Sequence, residues 1–219
     1  MSTPLFNALV GVVVGFALVS ATVILWRRRL AGIVHGLAVL GGAVAAVPVL
    51  IGLHDRHLEA VVVGVLVAIL KAGVIPTIVL RMLRGHSEDR ETDPLVNVPA
   101  SLLAGAVLTA FSYIVCAPIV ALDESVPVRA VPLAVAIVLI GFFVLTTRRR
   151  AIAQVTGFLL VENGITLVAF LATGGVPLVV ELGASLDVFL AVLVLQVLTG
   201  RMRTKFGDTD LNRLRELHD

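Results

Sequence analysis

The feature that most constrains this chain is a succession of seven long apolar runs with short polar breaks between most of them. The runs are approximately Leu5–Trp26, Leu30–Leu53, Leu58–Leu80, Val98–Leu122, Val131–Thr147, Ala151–Thr173 and Val176–Gly200. A hydrocarbon core about 30 Å thick is spanned by about 20 apolar residues in helical form, each rising 1.5 Å. The pattern therefore predicts an all-α, polytopic membrane protein of about seven transmembrane helices. Brief breaks such as RRR, HDRH, DESVPVR and TGG make successive helices antiparallel neighbours. The fifth run is the shortest, and Pro132 and Arg148–Arg150 mark its ends. The chain reads as a three-helix membrane segment over 1–84, helices four and five over 85–150, and a helix pair with a polar tail over 151–219.

Composition agrees with this reading. Charged residues are 15% of the chain, against about 25% in a soluble domain. They are too few to cover a water-facing surface. No basic n-region or early cleavage site opens the sequence, so no secretory signal is expected. The single Cys116 lies in an apolar run, which rules out a disulfide framework or an iron–sulfur ligand set within the chain. The net charge is +2, but the basic residues punctuate apolar runs and do not cluster on a soluble face, so nucleic acid is not the expected partner.

The basic residues also sort by side. With seven helices, fourteen Lys and Arg flank one membrane face and two, Arg56 and Arg129, flank the other; Lys71 lies inside a helix. The positive-inside rule then places the N-terminus outside and the C-terminus in the cytoplasm. Gly11-x-x-x-Gly15 and Gly32-x-x-x-Gly36 let backbones approach closely, and are read as packing within the bundle rather than as a dimer motif.

Three ionisable residues stand where lipid depth makes them expensive. Lys71 is thirteen residues from both Leu58 and Arg84, Glu162 eleven from both Ala151 and Thr173, and Asp187 ten past Pro177. Each costs roughly 2.5–3.5 kcal/mol on insertion scales and normally faces the bundle interior. They form either a bridge that locks the bundle or a proton path. Two carboxyls against one amine leave an acid in excess, which suits a proton carrier better than a strut. Pro76 cannot donate to the carbonyl of Ala72, so a bend or a bound water is expected beside Lys71. Asn163 and Gly164 follow Glu162, and Gln154 and Gln196 are uncharged relay points toward the cytoplasmic end. His35 and Glu181 join the candidate proton-transfer residues, with a bundle hydrogen bond and an interfacial side chain as their respective alternatives. His54, Asp55, His57 and Glu59 crowd one outer loop, read as solvated rather than metal-binding.

The segments GFLLVENGITL and VELGASLDVFLAVLVLQVLTGRM resemble the C-terminal half of hydrogenase-4 component E, and the tail RTKFGDTDLNRLRELHD is similar to it as well. That family is similar in turn to the K subunit of respiratory complex I and the C subunit of Mrp cation/proton antiporters. LKAGVIPTIVLRMLR, with Lys71 and Pro76, resembles the family's N-terminal half. In the K subunit, two consecutive helices each carry a mid-membrane Glu used in lateral proton movement. The resemblance implies that Glu162 takes the first position and Asp187 the second, with Asp a departure from Glu and Ala191 standing where the K subunit usually has Gly. It further implies a subunit in a bacterial inner membrane, beside antiporter-like subunits and a peripheral redox arm. A NiFe centre and iron–sulfur clusters are then expected in partner subunits, with no cofactor or metal in this chain.

Two other functions compete with this proton-relay subunit. One is a structural adaptor joining antiporter-like subunits, as in an Mrp-type assembly. The other is an independent small transporter, disfavoured because no paired halves are evident. An intramembrane enzyme is disfavoured further, since no Ser/His dyad or HExxH occurs in the apolar runs. The loop RMLRGHSEDRETD is a mixed-charge cytoplasmic segment. The tail after Gly207 carries Leu211, Leu214 and Leu217 at the spacing of a short amphipathic helix, with a frayed solvated tail as the alternative.

Overall fold

A computed structural model describes residues 2–27, 29–83, 96–122, 125–148 and 151–173. Among them every regular element is helical: α1 (Thr3–Trp26), α2 (Leu30–Asp55), α3 (Leu58–Val67), a π-helical segment (Ala68–Val74), α4 (Ile75–Leu83), α5 (Val98–Leu122), α6 (Val126–Arg129), α7 (Val131–Thr147) and α8 (Ala151–Thr173). In lipid a helix is the natural choice, because it satisfies its backbone polar groups within its own segment. Among the described residues, six stretches are long and apolar enough to cross a membrane. They reproduce the first six sequence runs closely, while the seventh run, 176–200, lies outside the described residues.

The short fifth run gains its missing length from α6. Pro127 sits in the first turn of that helix, where its absent N–H costs nothing, and the span becomes Val126–Thr147. The hairpin between α2 and α3 is tight. Arg56 takes the left-handed conformation (φ 58°, ψ 33°), and the N–H groups of Arg56 and His57 both bond to the carbonyl of Gly52.

Helix α2 is the centre of the bundle. It packs against α1, α3, the π segment, α4 and α8, and its Leu37, Leu40, Val44 and Val47 are fully or almost fully buried. Lipid tails are as apolar as leucine, so close packing rather than apolar transfer holds such helices together. Small residues supply that closeness. A Cβ on Gly64 would lie 2.9 Å from the Ala45 carbonyl oxygen, and one on Gly157 would lie 2.8 Å from the Leu145 nitrogen. Of the two GxxxG pairs, Gly36 abuts Ile24 on α1, as expected. Gly11 and Gly15 meet nothing within 4 Å among the described residues.

Arg148, which ends the fifth run, closes α7 against the end of α1. Arg148 is buried and donates from its guanidinium to the carbonyl of Leu25, 3.3 Å away, in the last turn of α1. A cation there complements the negative end of the helix dipole.

Candidate functional site

Lys71 lies near the middle of the third span, inside the π-helical segment. The local cause of that wide turn is Pro76, which has no N–H and whose ring crowds the carbonyl of Ala72. Widening the turn relieves the crowding, and Ile75 N–H now bonds to Leu70, five residues back. The bend expected beside Lys71 thus takes the form of a π turn. Gly41 on α2 receives the widened backbone. A Cβ on Gly41 would lie 2.7 Å from the Lys71 carbonyl oxygen and 2.9 Å from its Cβ, so a side chain there would push the lysine away.

Glu162 is placed by α8, and α8 is set by a glycine seam. Gly141 of α7 and Gly157 and Gly164 of α8 let the two backbones touch: a Cβ on Gly164 would lie 2.8 Å from the Val138 nitrogen. At about 100° per residue, Glu162 and Thr166 fall roughly opposite that seam. The seam therefore aims both side chains away from α7 and into the rest of the bundle.

The three side chains meet. Lys71 Nζ lies 2.6 Å from Glu162 Oε1, with side-chain exposures of 1% and 11%. Lys71 Nζ also donates to Thr166 Oγ1 at 2.6 Å, and the Thr166 hydroxyl donates to Glu162 Oε1 at 3.2 Å. Thr166 stands one helical turn after Glu162, so the backbone itself keeps the hydroxyl in reach. Beside the cluster, Asn163 is buried and donates its amide to Leu159 O at 2.8 Å. Glu162 Oε2 and Asn163 Oδ1 are buried with no hydrogen-bond partner among the described residues. Acceptor capacity is thus left at the cluster for a further donor.

Chemically, an ammonium and a carboxylate in contact at hydrogen-bond distance share a proton with little atomic movement. The same contact neutralises two charges that lipid depth would otherwise penalise. The geometry serves either a relay or a lock.

The other candidates distribute as follows. His35 does not join the cluster: its side chain is exposed, and its Nδ1 bonds to Ala31 O at 2.6 Å within its own helix. Gln154 donates to the carbonyl of Arg148 at 3.2 Å and so ties the turn between α7 and α8 rather than extending a relay. Glu181, Asp187 and Gln196 lie outside the described residues, as do most of the mixed-charge loop and the tail. Around the turn between α2 and α3, the ring of His54 stacks on Phe6 at 4.3 Å, and Asp55, His57 and Glu59 are exposed. Among the described residues no three His, Cys, Asp or Glu converge as a metal site would require. Thr166 and Gly41 escaped the reading of the sequence. The i to i+4 spacing from Glu162 was the available signal for the first, whereas nothing local marks the second.

Fold and site together define a polytopic helical membrane protein with an ion pair buried at mid-span. The chain is 47% identical, over its whole length and that of the relative, to the uncharacterized protein Rv0085 of Mycobacterium tuberculosis, and it belongs to that protein's family. It is also distantly related to hydrogenase-4 component E. It is 30% identical to that protein from Escherichia coli K12 and from Shigella flexneri over 130 residues, covering 55% of this chain and 60% of each relative. No family profile and no solved structure matches the chain.

Proposed function

We propose that this chain is a non-catalytic, integral-membrane subunit of an energy-converting complex related to hydrogenase-4, and that Lys71, Glu162 and Thr166 form one station of its proton path. The observation that carries the reading is the 2.6 Å contact between Lys71 and Glu162, buried at mid-span with one carboxylate oxygen still unpartnered among the described residues. A static strut needs only the first half of that description. Asp187, on the following apolar run, is the next acid along the chain at comparable depth and is assigned the second station. The partial likeness to hydrogenase-4 component E supports a place beside antiporter-like subunits with a peripheral redox arm. Any NiFe centre and iron–sulfur clusters belong to those partners. The assembly sits in a bacterial cell membrane, and the fourteen-to-two charge sorting favours a cytoplasmic C-terminus.

A second reading is favoured by the closed geometry of the triad. Two hydrogen bonds and an ion pair on three side chains also suit an adaptor that locks α8 to the π segment and joins antiporter-like subunits, as in an Mrp-type assembly. Glu162→Gln in the assembled complex separates the two. The relay predicts intact assembly with proton translocation cut at least tenfold. Normal translocation by an assembled variant leaves the adaptor standing.

A further inference from the structure

Away from the ion pair, α1 and α2 leave a lateral groove of about 490 Å³ that the proposed relay does not use. Its apolar walls include Phe16, Val19, Val23 and Val39, and Arg27 and His35 are its ionisable members. Glycine makes the floor: the Arg27 stem runs over Gly32, where a Cβ would sit 3.5 Å from Arg27 Cδ. Arg27 is exposed, and no carboxylate pairs with it among the described residues.

We propose that this groove holds one anionic glycerophospholipid, with its phosphate on Arg27 and an acyl chain lying against Val23, Val19 and Phe16. Three features select that occupant. The charge is complementary, since a guanidinium matches a phosphate with paired N–H donors. The length fits a lipid: from Arg27 to Phe16 is eleven residues, or about 16 Å of helix, close to one leaflet of a hydrocarbon core about 30 Å thick. A partner transmembrane helix would need the full span. The polarity is graded in the right order. His35 sits below Arg27 at the depth of a lipid's glycerol backbone. Its Nδ1 donates to the Ala31 carbonyl, which leaves Nε2 for a headgroup hydroxyl.

Trp26 is the only tryptophan of the chain, neighbours Arg27 and is 65% exposed, so it reports the mouth of the groove. The test places the full chain in phosphatidylcholine nanodiscs. Trp26 quenching by brominated phosphatidylglycerol is then compared with quenching by brominated phosphatidylcholine at equal mole fraction. A preference of about fivefold for the anionic lipid is expected, the equivalent of about 1 kcal/mol for one basic contact. Arg27→Gln is expected to bring it to twofold or less while quenching by phosphatidylcholine is unchanged. Gly32→Leu provides an independent variant, because its Cβ has ordinary contact distances and its side chain fills the groove; it too is expected to abolish the preference. Equal quenching by both lipids in the wild-type chain would overturn the proposal. So would a preference that survives both variants, or headgroup-independent quenching that falls as protein density rises, which would place a second copy in the groove.

Discussion

Removing one partner of the Lys71–Glu162 pair is expected to cost far more than removing both. At 2.6 Å and an effective dielectric near 20, the attraction between the two charges is about 6 kcal/mol. Against it stands the desolvation of two ions, several kcal/mol each, so the intact pair contributes little net stability. Lys71→Met or Glu162→Gln alone keeps the desolvation of the surviving partner and loses the attraction, and each is expected to destabilise by about 3–5 kcal/mol. The double variant removes both sides of the balance and is expected to lie within about 1 kcal/mol of wild type. Unfolding of the purified chain in mixed micelles, followed by circular dichroism, measures all four corners of the cycle. Singles that each cost under about 1 kcal/mol, or that add to the double within about 0.5 kcal/mol, would refute the buried ion pair. The double variant also divides the two functional readings. If the pair is a lock, an assembled complex carrying it translocates protons normally; if the pair is a relay, stability returns and translocation does not.

Four further outcomes follow from the packing. Thr166→Val keeps shape and removes hydrogen bonds to both charges, and is expected to cost about 1.5–3 kcal/mol in the same unfolding assay. Gly41→Ala forces Cβ to within 2.7 Å of the Lys71 carbonyl and should cost about 1–3 kcal/mol and slow translocation. Gly42→Ala, whose Cβ meets only Ala72 Cβ at 3.9 Å, should be neutral or stabilising, and its comparison with Gly41→Ala on one thermal ramp checks the claim. Arg148→Gln strips the buried guanidinium from the end of α1 and is expected to lose about 1–3 kcal/mol, read as a lower midpoint of unfolding.

The spans were legible in the sequence because lipid imposes a one-dimensional rule: an unbroken apolar length against a fixed thickness. That rule located six helices nearly to their ends, and even the short fifth run was completed by a proline-started turn written beside it. The expense of Lys71 and Glu162 was legible for the same reason, since depth along a helix follows from counting residues. What the sequence alone left open was the direction each face points. Lys71 and Glu162 are 91 residues apart in the chain, and their meeting depends on two contacts that no local pattern records. One is Gly41 admitting the π turn, and the other is the Gly141–Gly157–Gly164 seam setting the rotation of α8. Tertiary packing likewise leaves His35 exposed on a groove and Arg148 buried against the end of α1. Apolar periodicity is nearly silent in these helices, because lipid and protein interior attract the same side chains. Only the close fit of backbones in three dimensions decides which charge finds which partner.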